Sequence, residues 1–500
     1  LCILKHLRFT MWVLLCYNRV MKKRIVPILI CAGSGLLCGI CFDVAQLSFL
    51  AWVCIAPMFF VLFKNKDCLK KVMLYAGIFC LALFAYYDSA FFMLNVETRI
   101  QNSVLWLILG FLTVVAVQGG ILWTAIVAGI KINCSPAIRS VLIAILWTAA
   151  EWVCGVGAFG LPCVRMGLTQ WAFAYGIGSA SVFGVLFISF LMILVNVLIA
   201  QAMAMKSKKP IAIALAICAA NLIFGAAVMH KETADVSVSA VQYNVPFYAD
   251  GQGSGREEKA VALAKNAQQQ APTQLVFLPE NTLSGSFAQD IELQNQIRSI
   301  NKNAYILTGV YGLHGFEMRN SVFMTSPNGE VSDAYNKQRL VPIFENGYEK
   351  EFSMQIGNER GIFDTAYGKI GAVICFESLF SQDVSQSVRQ GAQLMSVFTN
   401  DSWFTNDIPL YRHFHQSVLR AVETNRYVVH ASNNGITGFI ANNGEVLSTL
   451  ESNIDGVAQE KIAFISGSTP YVFMGDWWIA VVGGAVGLFM ITKYLKKNKH

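Results

Sequence analysis

GAVICFESLF (371–380) passes from an unbroken apolar run, through one cysteine, into an acidic and polar stretch. The run has strand length, and a helix pattern begins near Ser378, so the segment reads as a strand, a turn and a helix. Similar strand-like runs surround it: VSVSAVQYNV (236–245), QLVFLPE (274–280), AYILTGVYG (304–312), SVFMTS (321–326), AQLMSVFTN (392–400), RYVVHAS (426–432) and ITGFIANN (436–443). Helical patterns fall near 255–270, 287–301, 378–390 and 408–425. PNGE (327–330) and NNGE (442–445) are hairpin turn signals, so the sheets are not purely parallel. DGQGSG (250–255) reads as a flexible loop. Residues 230–470 are therefore expected to form an α/β domain.

The surrounding sequence is of another kind. The chain is 55% hydrophobic and 14% charged, against about a quarter charged in ordinary soluble domains. Apolar stretches at 25–42, 46–63, 72–93, 104–130, 138–158, 171–200 and 211–229 approach or exceed the ~20 residues that cross a bilayer as a helix. An eighth runs over 471–492, with Trp477 and Trp478 placed for an interfacial aromatic belt. Lys22, Lys23 and Arg24 precede the first. Alternate loops then carry Lys64, Lys66, Lys70 and Lys71, Lys131 and Arg139, and Lys206, Lys208 and Lys209; Lys493, Lys496, Lys497 and Lys499 end the chain. The opposite short loops carry only Arg99 and Arg165. This positive-inside pattern puts 230–470 outside the cytoplasm after seven crossings. That segment has 17 Lys+Arg against 25 Asp+Glu, so the net +7 comes from basic clusters beside the spans, which speaks against nucleic-acid binding. MKKR at Met21 looks like a natural start, and residues 1–20 read as an upstream extension. The expected division is 21–229 for seven spans, 230–470 for the outer domain, 471–492 for the eighth span and 493–500 for a basic cytoplasmic tail.

Of 13 cysteines, only Cys375 lies between His230 and Pro470. The rest sit mainly in apolar runs, where Cys38 and Cys41 read as packing residues despite their CxxC spacing. A cysteine outside the cytoplasm normally pairs, and Cys375 has no partner in its domain. At a strand-to-helix turn its thiol would feel the helix dipole, which lowers its pKa toward a nucleophilic thiolate. Glu280, at the end of LVFLPE, is a candidate base, and Lys337 in YNKQRLVPIFE a candidate cation and oxyanion donor. Each also has a plainer reading, as a buried cysteine, a loop acid and a surface lysine. His413, His415 and His430 are rival bases; His413 and His415 lie two apart on a helix, do not share a face, and read as ordinary helix residues.

LPE, YNKQRLVPIFE and ICFE, in that order, resemble the nitrilase (carbon–nitrogen hydrolase) superfamily. That domain between seven spans and one final span, with FTNDSWF (398–404) and ETNRYVVHASNNGITGFI (423–440), resembles the bacterial apolipoprotein N-acyltransferases. The resemblance implies an α-β-β-α sandwich and a Glu280–Lys337–Cys375 triad supported by Glu345, Glu377 and Asn320. It implies acyl transfer from a membrane phospholipid such as phosphatidylethanolamine, through a Cys375 thioester, to the N-terminal amine of a diacylglyceryl-cysteine apolipoprotein. The enzyme would be a monomer of the bacterial inner membrane with its catalytic domain periplasmic, needing no metal or cofactor. Phe344, Trp403 and Phe404 are candidate lid residues or ordinary packing. TNDIPLYRHFHQ departs from the glycine-bearing family segment, and VQYNVPFYADGQ lacks the family's tryptophan.

Two other functions fit parts of the chain. A tethered amidase or nitrilase would use the same triad but needs only one span. A transporter with a non-catalytic outer domain would place ionisable groups inside spans, where Asp88 and Glu151 are the main candidates.

Overall fold

The computed structural model describes residues 24–92, 103–157, 160–246, 255–314, 317–342, 345 and 354–497. Residues 1–20, Arg99, Phe344, most of the 250–255 loop and the last three residues lie outside them. The chain divides into two compact units: 1–89 with 107–150 and 190–218, and 90–106 with 151–189 and 219–500.

The first unit is helical. It holds α1 (Arg24–Ile40), a 3-10 segment (Ala45–Trp52) running into α2 (Ala56–Lys64), and most of α3 (Leu69–Phe92), α4 (Ser103–Lys131), α5 (Pro136–Cys154) and α8 (Val185–Met205), with the start of α9 (Lys209–Val228). Among the described residues six segments are long and apolar enough to cross a membrane; α1 and Trp477–Leu488 are apolar but shorter. The Lys209–Val228 segment has mean hydropathy 2.4, yet only 17% of it is buried inside the protein. So apolar an exposed surface needs an apolar solvent, and the chain is a multi-pass membrane protein. The join between the 3-10 segment and α2 leaves amides without helical partners. Asn196 Oδ1 accepts both Ile55 N and Ala56 N at 2.9 Å, and its Nδ2 donates to Ala51 O.

The second unit opens with a departure from the sequence expectation. Residues 171–200 do not form one helix. A 3-10 turn (Met166–Gln170), α6 (Ala174–Ile177) and α7 (Ala180–Phe183) precede α8, which starts only at Val185. Gly184 makes the break: its φ is +76°, and a Cβ there would strike the Tyr471 ring. Glu151 accepts Met166 N at 3.0 Å, a structural role for one of the two intramembrane acids.

The remainder is a sandwich of two six-stranded sheets. One holds β1 (Val236–Gln242), β2 (Leu275–Ser284), β3 (Tyr305–His314), β4 (Glu317–Thr325), β5 (Tyr335–Asn336) and β12 (Gly456–Ile462), in the order β12-β1-β2-β3-β4-β5. The other holds β6 (Gly361–Thr365), β7 (Gly368–Ile374), β8 (Leu394–Thr399), β9 (Val428–Ser432), β10 (Gly438–Ile440) and β11 (Val446–Thr449), in the order β11-β10-β9-β8-β7-β6. In each sheet three neighbouring strands are parallel, β1-β2-β3 and β7-β8-β9, and the flanking pairs are antiparallel. Two-residue alternation sends Leu275 and Phe277 into the inter-sheet core and Val276 and Leu278 outward against α10 (Arg256–Gln270) and α11 (Ile291–Arg298). Phe277 and Phe398 meet across the sheets with ring centroids 6.1 Å apart. Helices α12 (Ser381–Arg389) and α13 (Ile408–Thr424) pack on the second sheet, followed by α14 (Pro470–Met474) and α15 (Trp477–Lys497). The NNGE turn joins β10 to β11 as a hairpin. Strands β5, β6, β11 and β12 were not among the expected runs: β5 has two residues, and β6, β11 and β12 lie at sheet edges with mixed polar and apolar residues.

Candidate active site

Cys375 follows the last residue of β7, a strand buried in the sandwich. It opens a one-turn 3-10 helix (Cys375–Leu379), and the regular helix begins only at Ser381. Its φ is +50°, a left-handed conformation that costs a non-glycine residue about 1–3 kcal/mol and persists only when its surroundings hold it. Glu377 supplies much of that hold. Its carboxylate accepts Ile374 N at 2.7 Å, Gln338 N at 2.7 Å, Arg339 N at 3.1 Å and the Tyr335 hydroxyl at 2.6 Å. The acid two residues after the cysteine thus ties the turn to the segment that carries Lys337.

Glu280 lies on β2 just where pairing with β3 is interrupted, between Leu278 and Leu283, and Asn281 beside it has φ +59°. Its Oε1 accepts Asn320 Nδ2 at 2.6 Å, and its Oε2 accepts Asn400 N at 2.7 Å. Lys337 follows β5, where its backbone N donates to Asn320 O at 2.9 Å. Its Nζ lies 2.7 Å from Glu345 Oε1 and 3.4 Å from Glu280 Oε1. Glu345 Oε2 accepts Val341 N at 2.7 Å. Lys337 is 1% exposed and Glu280 3%, so this is a dry charge cluster rather than a surface ion pair.

Burial raises the Glu280 carboxyl above the ordinary range; Lys337, Asn320 and Asn400 oppose that rise, whereas Glu345 adds to it. Burial alone would drive the Lys337 ammonium down, but Glu345 and Glu280 outweigh it and hold the charge on. The thiol departs from expectation. Burial pushes Cys375 well above the ordinary cysteine value; Glu280 raises it further, and Lys337 and Thr399 only partly offset this. Only a one-turn 3-10 helix follows it, so little helix dipole opposes that rise, and the resting group is a neutral thiol.

Of the anticipated residues, the fold gathers Glu280, Lys337, Glu345 and Asn320 into one hydrogen-bonded cluster whose charges act on Cys375, and Glu377 braces the turn. Trp403 and Phe404 are half-buried in the loop between β8 and α13, while Phe344 lies outside the described residues. His413 was read as an ordinary helix residue. Its Nδ1 lies 2.9 Å from Asp401 Oδ1, and its Nε2 lies 2.8 Å from Ser378 Oγ and 3.2 Å from the Cys375 carbonyl. His415 instead stacks on Trp171 at 3.5 Å. Tyr335, Asn400, Asp401 and Ser378 also went unremarked in the sequence, because each acts through a fold contact rather than a motif.

Asp401, His413 and His430 could offer three metal ligand atoms within 4.8 Å of one another. An ion with bonds of about 2.1 Å holds tetrahedral ligands about 3.4 Å apart. The 2.9 Å contact between Asp401 and His413 is a hydrogen bond instead.

Residues 237–466 match the family model described as carbon–nitrogen hydrolase, and residues 34–198 match that of the apolipoprotein N-acyltransferase N-terminal domain. The apolipoprotein N-acyltransferase of Geobacter metallireducens is 26% identical over 488 residues, 91% of this chain and 93% of that protein. That of Thermotoga maritima is 26% identical over 383 residues, 73% of each. A mutant Nesterenkonia AN1 amidase from the nitrilase superfamily aligns at 16% identity and TM-score 0.40, over 50% of this chain and 97% of that one.

Proposed function

Because the chain belongs to the apolipoprotein N-acyltransferase family, we propose that it moves a fatty acyl chain from a phospholipid, through a thioester on Cys375, to the N-terminal amine of a diacylglyceryl-cysteine apolipoprotein. The observation that carries this reading is the buried Glu280–Lys337–Glu345 cluster whose charges act on the turn cysteine.

In the first step Glu280 takes the thiol proton as Cys375 Sγ attacks the sn-1 ester carbon. A C–S bond forms and the carbonyl pair moves onto oxygen, opposite the Lys337 ammonium. Collapse breaks the ester C–O bond, and the lysophospholipid oxygen leaves with the proton from Glu280. In the second step the acceptor amine gives a proton to Glu280 and attacks the thioester. A C–N bond forms, the C–S bond breaks, and Cys375 recovers its proton. Lys337 cannot serve as the base, since two carboxylates keep it protonated. Its charge suits an oxyanion, for which one lost donor costs about 10²–10³ in rate.

Both substrates carry acyl chains, and each methylene drawn into water costs about 0.8 kcal/mol. The helical unit keeps those chains in lipid while the sandwich does the chemistry. The basic-loop pattern supports placing the sandwich on the periplasmic side of the inner membrane, and Trp403 and Phe404 would border the chains. Mass spectrometry of the protein incubated with phosphatidylethanolamine should find a fatty-acyl mass on Cys375 that hydroxylamine removes and Cys375→Ser lacks. Turnover with an unacylated cysteine would overturn the reading.

A further inference from the structure

His413 sits directly behind the nucleophile, and its surroundings assign its protons. Nδ1 faces the Asp401 carboxylate, which also accepts from Thr399 Oγ1 and Ser432 Oγ. With two hydroxyls donating to it and its carboxyl held below the ordinary range, Asp401 is ionised and accepts only, so the facing Nδ1 bears the proton. Nε2 faces the Cys375 carbonyl, which accepts only, and the Ser378 hydroxyl, whose proton is already given to that same carbonyl at 2.8 Å. A proton on Nε2 satisfies both contacts at once, whereas a bare Nε2 would set its lone pair against that carbonyl, so the geometry favours the imidazolium. His430, 5.2 Å away edge-on, is correspondingly held neutral: burial and the His413 charge push it down to about 3.

We propose that His413, charged and oriented by Asp401, is a positioning residue that polarises the Cys375–Phe376 peptide and so strengthens its N–H for the oxyanion of the acyl-transfer step. The carbonyl of that peptide receives two side-chain hydrogen bonds, one of them charge-assisted. Hydrogen bonds in series polarise one another, so a donor on the oxygen makes the N–H of the same peptide a better donor. The N–H that follows a nucleophile at the end of a strand is a ready oxyanion donor. The inference rests on Cys375 being the nucleophile and is independent of which acyl donor it meets.

The groups facing His413 are Asp401 from the loop after β8, Cys375 and Ser378 from the turn after β7, His430 from β9 and, through its charge, Glu280 from β2. Burial disfavours the imidazolium, but Asp401 and the Cys375 carbonyl outweigh it, so His413 titrates above the ordinary histidine range. The contribution is present below that value and is lost as pH rises through it.

The test compares two electrophiles on the full-length protein in detergent. A p-nitrophenyl ester acylates Cys375 through an oxyanion; iodoacetamide alkylates it without one. His413→Gln should slow acylation by about tenfold or more, the worth of one charge-assisted hydrogen bond, and leave alkylation near the wild-type rate. Asp401→Asn, which keeps the shape but withdraws the charge, should move the alkaline limb of the acylation profile to lower pH. Equal loss of both rates in His413→Gln, or an unmoved limb in Asp401→Asn, overturns the proposal. A wild type that takes the ester yet never an acyl group from phospholipid would instead sink the acyltransferase reading alone.

Discussion

At the residue scale, Glu280 faces a conflict. As the proposed base it must be ionised to take a proton, and its dry setting favours the neutral acid. The Asn320 amide at 2.6 Å, the Asn400 N–H at 2.7 Å and the Lys337 ammonium at 3.4 Å together favour the carboxylate. Activity should therefore fall on the acid side as pH drops through a value above the usual carboxylate range. Asn320→Leu removes a donor to the charged form, so the Glu280 pKa rises further. The acid limb of kcat/KM should then shift upward by about one pH unit, the worth of a hydrogen bond to a charged group. An unshifted limb in a folded Asn320→Leu protein would remove Glu280 from the role of base.

At the element scale, the interruption of β2 is what turns Glu280 into the site, and β3 must pass very close for this to happen. A Cβ on Gly309 would lie 2.6 Å from Glu280 Cα and strike the Pro279 carbonyl. Backbone cannot yield as a side chain can, so Gly309→Ala should cost about 1–3 kcal/mol and displace Glu280. A thermal melt and kcat/KM measured together should both fall; full activity at a lowered melting temperature would mean that Glu280 tolerates the shift. Helix α13 shows the opposite economy. Nearly all of its side chains are buried although many are polar, and hydrogen bonds such as that between Ser417 Oγ and His430 Nδ1 pair many of them. Such a helix positions chemistry rather than covering a core.

At the scale of the whole molecule, the basic loops set the orientation. Cys68 is exposed beside Lys66 and Lys70, in a loop expected to be cytoplasmic, and Asn303 is exposed on the sandwich. In intact spheroplasts a membrane-impermeant maleimide should label Asn303→Cys at once. It should reach Cys68, read as the difference from Cys68→Ser, only after permeabilisation. The reverse pattern would invert the topology and put the sandwich in the cytoplasm.

The sequence alone determined what one-dimensional pattern controls. Apolar length marks helices for the bilayer, since lipid responds to local hydropathy, and short alternating or continuous apolar runs mark strands such as β1 and β2. LPE and ICFE drew attention to Glu280 and Cys375 because each ends a recognisable strand, whereas Lys337 in YNKQR was legible only through the family resemblance, since the two-residue β5 before it has no pattern of its own. Tertiary structure decided the rest. It bent 171–184 into short turns, recruited edge strands whose own pattern is mixed, and brought Asn400 onto Glu280 from 120 residues away. It also set the Cys375 thiol high rather than low and placed His413 against the Cys375 carbonyl. Burial and contact between distant residues govern these outcomes, and both exist only once the chain has folded.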